Sequence, residues 1–389
     1  MDSLKIITHL FPTHQVPYQG KFVADQVNLL LNQLPDLQLS VSVPTPIAIP
    51  FTNRYKRNTS QFITSKNLAN RFRYLSFPRM QLPALVQKSI TAQFEKEISS
   101  RTPFELAHIH FLYPGGLLLP FLKRKGIKTV LTIHGSDFYN LHQRSDLQSY
   151  IKRSFGLLDK LLLVGPQLVN DVRKHYPDIS DKIVQIDNSV DENMYALSSL
   201  SDKRDLQSNL GWDSKKIHFL TVGKNRPEKG VDILVEAAKK VDDLSSKAQF
   251  HVVGNMHDSQ ASAITEENEM LDFIPPMPAE KLIQYYQASD AFISPSRREG
   301  FGLALIEAAA TGLPLLATPT GIAPDFVSQE TGILCKDFKA SSLEQAIREL
   351  ILNLETYDSS KIRAKAVSRF GKKAFGSKLI NVYNEVLNQ

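Results

Sequence analysis

Two glutamates eight residues apart, Glu299 and Glu307, bracket a glycine-containing turn in the run Pro295-Ser-Arg-Arg-Glu-Gly-Phe-Gly-Leu-Ala-Leu-Ile-Glu-Ala-Ala-Ala. Carboxylates accept hydrogen bonds from hydroxyl groups. A helix opening near Gly302 would point the free amides of Phe301, Gly302 and Leu303 outward, at the positive end of its dipole. The two features together suit a ligand that is both hydroxyl-rich and phosphorylated. Glu307 lies in Leu303-Ala-Leu-Ile-Glu-Ala-Ala-Ala, a setting so apolar that an unpartnered carboxylate would be costly to bury. A sugar diol is one partner for it. A neighbouring lysine or water is another, and Glu299 would then be an ordinary loop carboxylate.

A second candidate is Gly223-Lys-Asn-Arg-Pro-Glu-Lys-Gly230, which offers Lys224, Arg226 and Lys229 just before a helical pattern. Such cations can hold a diphosphate, or form a solvated basic turn. The loop lacks the Gly-Lys-Ser/Thr ending of a P-loop, and no Gly-x-Gly-x-x-Gly follows the first strand, which weakens triphosphate and dinucleotide readings. His108 and His110 could share a strand face, but without further ligands they read as structural, and no metal site is expected. The single cysteine, Cys335, forms no internal disulfide and reads as a small hydrophobe.

The elements that must carry these loops alternate strand and helix along 389 residues, 42% of them hydrophobic. Predicted strands are 5–10, 39–43, 106–111, 129–133, 160–164 and 183–186 in the first half. In the second they are 217–222, 249–253, 270–274, 291–294 and 315–317. Helical patterns such as 231–241 and 279–287 separate them, which implies two doubly wound α/β units. The boundary is placed in the polar stretch 188–214, giving domains 1–190 and 191–371. The terminal amphipathic segment 372–389 is a candidate to return to the first domain. Open α/β sheets bind ligands at the carboxyl ends of their strands, so two such sheets facing one another would make a cleft. The loops at Gly223–Gly230 and Pro295–Gly302, and Thr132-Ile-His134-Gly-Ser-Asp137, all follow predicted strands.

Together these segments resemble the retaining nucleotide-sugar glycosyltransferases of family four, which have the GT-B architecture. The resemblance covers nearly the whole chain. It is strongest in Val222-Gly-Lys-Asn-Arg-Pro-Glu-Lys-Gly-Val-Asp, Val253-Gly254, Ala288-Ser-Asp-Ala-Phe-Ile-Ser-Pro-Ser, Glu299 with Glu307, and Gly312-Leu-Pro-Leu. Phe11-Pro, Gly20-Lys-Phe-Val and His134-Gly-Ser-Asp are weaker matches on the acceptor side. The resemblance implies that Glu299 holds hydroxyls of the donor sugar, that Glu307 takes the ribose diol, and that the amides of Phe301–Leu303 meet sugar or phosphate. Lys229 matches the diphosphate-binding lysine. Its usual arginine partner aligns with Lys224, which keeps charge but loses planar two-pronged geometry, so Arg226 is a substitute. His134 matches the histidine beside the reacting sugar, and Gly20 the small residue that lets a loop approach the donor phosphate.

The implied reaction is front-face transfer with retained configuration, in which a departing diphosphate oxygen helps take the acceptor proton. It needs no protein nucleophile, and no Asp-x-Asp is placed to hold a metal, so a metal-independent hexosyltransferase without cofactor is expected, acting in surface polysaccharide or glycolipid synthesis. Another GT-B enzyme (an epimerase or phosphorylase) and a non-catalytic sugar-binding protein are the alternatives. The phosphorylase would need a cofactor lysine motif that is not found.

Charge is divided unevenly. The first 200 residues carry 23 basic and 15 acidic side chains, the remainder 23 and 25. Residues 37–94 contain no Asp or Glu but eight basic residues, Arg54, Lys56, Arg57, Lys66, Arg71, Arg73, Arg79 and Lys88, interleaved with Phe62, Phe72, Tyr74, Leu75 and Phe77. That composition would suit an anionic membrane surface or a lipid-linked acceptor, or simply a solvated loop. No nucleic-acid-binding signature accompanies the basic pI. With neither an 18-residue apolar run nor a signal-peptide pattern at Met1-Asp-Ser-Leu-Lys, the expectation is a cytoplasmic enzyme, peripheral on the inner membrane face.

Overall fold

The computed structural model describes residues 1–16, 19–47, 61–63, 68–77, 81–99, 102–224, 226–254 and 268–389. Contacts divide the chain into two compact units. The first comprises Met1–Val164, Leu168–Ile186 and Gly376–Gln389; the second comprises Gly165–Gln167 and Asp187–Phe375.

The first unit is built on a seven-stranded sheet of β1 (Ser3–Ile7), β2 (Gln38–Ile47), β3 (Ala69–Leu75), β4 (Leu106–His110), β5 (Lys128–Ile133), β6 (Lys160–Leu163) and β7 (Ile183–Gln185), in the order β3-β2-β1-β4-β5-β6-β7. The second sheet has six strands, β8 (Ile217–Val222), β9 (Ala248–Val253), β10 (Leu271–Ile274), β11 (Ala291–Ser294), β12 (Leu315–Ala317) and β13 (Gly332–Leu334), ordered β10-β9-β8-β11-β12-β13. Every paired strand in both sheets is parallel. Parallel strands are covered by helices on both faces, which explains why β4 is buried at every position and why the central strands read as near-continuous apolar runs. In each sheet the strand order reverses beside the first strand of the unit, between β1 and β4 and between β8 and β11. Loops leaving the carboxyl ends at those points are where such folds place ligands.

Helices present one apolar face to these sheets. Val231–Lys240 buries Val231, Ile233, Leu234, Ala237 and Ala238, with Asp232 in its first turn and Lys239 and Lys240 in its last, charges that complement the helix dipole. Leu303–Ala310 is apolar nearly all round and buries Leu305, Ile306, Ala308, Ala309 and Ala310. Cys335 packs in the second unit's core, where burial pushes its thiol up to about 12, so it acts as a small hydrophobe. From Gly376 onward the C-terminal helix Lys372–Leu387 belongs to the first unit, where Tyr383 bonds His108 of β4.

Three features differ from the sequence reading. β1 ends at Ile7 rather than Leu10, because the Thr8 hydroxyl bonds both the carbonyl and the amide of Leu10 and turns the chain out of the sheet. β13 was not anticipated: Gly332-Ile-Leu334 opens on a glycine and offers only two apolar side chains, where the equally short β12 has three. Most consequential is β3. Phe72 and Tyr74, offered by the sequence reading to a membrane or lipid, are 7% and 2% exposed and serve the core, alternating with outward-facing Arg71 and Arg73. Phe62 packs edge-on against Phe11 and beneath the Arg71 guanidinium. Arg54, Lys56, Arg57, Lys66 and Arg79 lie outside the described residues.

Candidate active site

In the second unit, the loops after β8 and β11 bring Lys229 and Glu299 together at the strand-order reversal. Lys229 Nζ donates to both Glu299 oxygens at 2.8 Å, and the Ser296 hydroxyl donates to Oε1 at 2.7 Å. The Glu299 amide donates to the Thr320 hydroxyl at 3.2 Å, which fixes the carboxylate's backbone. Glu299 is 14% exposed and Lys229 33%, so the pair is partly desolvated yet open to a ligand. A small cavity lined by Thr221, Gly223, Lys229, Ser294 and Ser296 adjoins it.

Gly230 makes this approach possible. Its φ is +63°, and a Cβ there would lie 2.0 Å from the Pro295 carbonyl oxygen, so any side chain would push the two loops apart. A second clasp comes from charge. Arg297 bonds Asp232 through both Nη atoms at 2.7 Å, and Arg298 pairs with Glu228 at 3.4 Å. These arginines are committed to carboxylates. Lys224 and Arg226 are exposed, in the same loop as Lys229 but outside its ion pair.

Glu307 follows on the helix Leu303–Ala310, whose first amides have no preceding carbonyl within the helix. Its partners within the protein are two phenols. The Tyr286 hydroxyl donates to Oε2 at 2.9 Å, and Tyr195 also hydrogen-bonds the carboxylate. Burial raises the carboxyl's pKa, while the two phenol donors oppose the rise. Burial and the adjacent carboxylate push both phenols above their ordinary range. Phe301 contributes its ring to the core, edge-on to Phe370, which leaves its amide as its group available at the helix start; Leu303 is 38% exposed. Ser296 sits inside the quoted runs with no role assigned to it, and Thr320, Tyr195 and Tyr286 belong to no quoted motif. Tyr286 reads in sequence as one more apolar position of the helix Ala279–Ala288.

The first unit has a different site. Gly20 has φ +71°, and a Cβ there would meet the Leu10 carbonyl oxygen at 2.3 Å, so this position is closed to side chains. The next helix residue but one, Phe22, packs on His134 with ring centroids 4.7 Å apart. On its other sides His134 meets Phe111 at 4.7 Å and stacks with His110 at 5.4 Å, and its Nε2 lies 3.1 Å from His110 Nδ1. Asp137 Oδ1 accepts from the His134 amide and Oδ2 from the Leu112 amide, which anchors the turn after β5. Burial holds His134 and His108 at about 3 and His9 at about 4, with His110 well below its usual value, so these imidazoles are neutral. Burial pushes the Asp137 carboxyl up to about 6 against its backbone hydrogen bonds. His108 and His110 do stack on one strand face, 4.3 Å apart, but both ring nitrogens of His108 are spent on Tyr383, Gln26 and Thr132. Among the described residues no group of three or more His, Cys, Asp or Glu is arranged to hold a metal ion.

The sequence matches the family described as glycosyl transferases group 1 over residues 202–367, and glycosyltransferase family 4 over residues 45–193. The chain is a family-4 glycosyltransferase. A relative in Bacillus subtilis, TuaC, provisionally named a teichuronic acid biosynthesis glycosyltransferase, is 27% identical over 356 residues, covering 88% of this chain and 87% of TuaC. Among solved structures, sucrose-phosphate synthase from Thermosynechococcus elongatus superposes with a TM-score of 0.77 at 18% identity, over 100% of both chains. HepE from Anabaena, in complex with UDP, superposes with a TM-score of 0.72 at 15% identity, over 99% of this chain and 100% of that one. At such identities the superpositions establish the GT-B fold and nothing finer. The glycosyltransferase has no helix, among its described residues, long and apolar enough to cross a membrane.

Proposed function

We propose that this glycosyltransferase moves a sugar from a nucleoside-diphosphate donor to an acceptor hydroxyl with retention of configuration and without a metal, in synthesis of a surface polysaccharide or glycolipid. The carrying observation is the partly open Lys229–Glu299 pair at the β8/β11 reversal, where one cation and one carboxylate are held 2.8 Å apart with Ser296. A sugar diphosphate presents both complements: oxygens for the ammonium and hydroxyls for the carboxylate. On binding, Lys229 would turn toward the leaving diphosphate, helped by Lys224 and Arg226, while Glu299 accepts from sugar hydroxyls. Glu307, held by Tyr286 and Tyr195, would accept from the ribose diol, and the amides of Phe301–Leu303 would meet the sugar or phosphate. His134, a neutral imidazole, would hydrogen-bond the reacting sugar, with Gly20 leaving room for the donor phosphate. The UDP held by HepE and the naming of TuaC support a nucleotide donor and a polysaccharide role by analogy. A lipid-linked acceptor at the basic first unit belongs to the same reading, although Phe72 and Tyr74 take no part in it.

The test is nucleoside-diphosphate release from UDP-, GDP- and ADP-sugars, with and without EDTA, in wild type and Glu299→Ala. Slow hydrolysis of one donor that persists in EDTA and disappears in the variant is the expected result. Release abolished by EDTA would overturn the metal-independent mechanism, and release equal in the variant would overturn the role of Glu299.

A further inference from the structure

Behind His134 the histidine His110 is 1% exposed, and its two ring nitrogens have different fates. Nδ1 lies 3.1 Å from His134 Nε2, whereas Nε2 is buried with no hydrogen-bond partner among the described residues. With both imidazoles neutral, the short contact holds a single proton, and there are two ways to place it. If His134 Nε2–H donates, His110 Nδ1 is the acceptor and the His110 proton must sit on Nε2, as a buried N–H with nothing to receive it. If His110 Nδ1–H donates, the orphan at Nε2 is a bare lone pair. Buried N–H groups without acceptors are among the rarest features of folded proteins, and unfilled acceptors are better tolerated. In the second arrangement His134 Nε2 is occupied as an acceptor, so its own proton resides on Nδ1, the nitrogen that has no hydrogen-bond partner among the described residues.

We infer that His110 is a positioning residue that locks His134 as the Nδ1–H tautomer, so that His134 meets the donor sugar as a hydrogen-bond donor to a sugar oxygen and not as a base. The inference deepens the role given to His134 under the proposed function and rests on it. Its structural basis is independent of that role: Phe22 and Phe111 pack on the His134 ring at 4.7 Å, and His108 stacks on His110 at 4.3 Å, so neither imidazole is free to turn over and exchange its nitrogens. His110 touches no substrate in this account. It acts through the proton it denies to His134 Nε2.

The experiment uses full-length protein labelled with 15N-histidine, wild type and the variants His110→Asn and His110→Phe, with His134→Asn to assign the resonance. Long-range 1H–15N spectra report which ring nitrogen carries the proton. Wild type should show His134 protonated at Nδ1. H110N, whose amide N–H falls near the place of Nδ1, should preserve that state, and H110F should move the proton to Nε2 or leave the two forms in exchange. Donor hydrolysis follows the same order: H110N near wild type, H110F lower in kcat by about tenfold to a hundredfold with KM for the donor nearly unchanged. An Nε2–H tautomer in wild type, or an unchanged His134 in H110F, would overturn the inference. The spectra decide without any turnover, so a protein silent toward every nucleotide sugar would count against the proposed function and not against the tautomer.

Discussion

The two strand-order reversals of this molecule have the same topology and opposite electrostatics. Between β8 and β11 the chain places an ion pair, Lys229–Glu299, and the helix that follows carries a further carboxyl group, Glu307, bonded by Tyr286. Around His134 in the first unit it assembles four imidazoles and two phenylalanines, and burial keeps the imidazoles neutral. Under the proposed function the difference would follow from what each site is asked to hold. A diphosphate brings its own charge and needs a counter-ion poised but not neutralised by solvent, whereas a sugar hydroxyl is recognised by a neutral donor of fixed direction. One fold used twice thus supplies two chemistries through its loops alone.

The largest effect is expected from Glu299→Ala, which frees Lys229 from its partner and, under the proposed function, removes an acceptor for the sugar hydroxyls. Donor hydrolysis should fall by about a hundredfold or more while the melting temperature changes little. Near-normal rates would show that the charged site is structural. His134→Ala should cost about tenfold to a hundredfold in kcat and leave nucleoside-diphosphate affinity unaltered; an equal loss of both would merge the two sites into one.

Acidification separates them through stability. His108 and His134 sit at about 3 against 6.5 for the unfolded chain, so the unfolded state takes up protons first. Their contribution is complete above pH 6.5 and is lost as pH falls toward 3, opposed in part by Asp137, whose raised carboxyl favours acid. Glu307 has the contrary sign, because its carboxyl is raised: its contribution is complete below the ordinary glutamate pKa and is lost as pH rises through the folded value. Melting curves from pH 4 to 8 should therefore show Glu307→Gln gaining on wild type as pH rises, and a constant difference would contradict the raised carboxyl. The smallest effect is expected from Arg297→Ala. Arg297 is bound to exposed Asp232, so nucleotide binding should be unchanged, and stability lower by about 1 kcal/mol or less. Arg226→Ala should instead weaken diphosphate binding, and the reverse order would reassign the phosphate arginine.

Much of this was legible before any coordinates, because the strands are continuous apolar runs between helical periods and parallel sheets bury both faces. β3 escaped because Arg71-Phe-Arg-Tyr74 at a sheet edge carries the alternation of a half-buried strand inside a basic stretch, and the charge masked the period. The glutamates and Lys229 were visible from residue type and spacing. Their pairing was not, since it depends on the loop at Gly230 passing so near Pro295 that a Cβ there would lie 2.0 Å from the Pro295 carbonyl oxygen. Nor were the tyrosines at Glu307, whose hydroxyls are hidden at apolar helix and loop positions, or the His110–His134 contact, which joins neighbouring strands β4 and β5 rather than neighbours in sequence.

The most direct test of the charged site is calorimetric titration of wild type and Lys229→Ala with UDP, GDP and ADP and with the matching nucleosides. One diphosphate should bind wild type, its nucleoside far more weakly, and the variant should lose at least about tenfold in affinity. Equal binding of nucleoside and diphosphate, or an unaltered Kd in Lys229→Ala, would contradict the assignment of the Lys229–Glu299 pair to a sugar diphosphate.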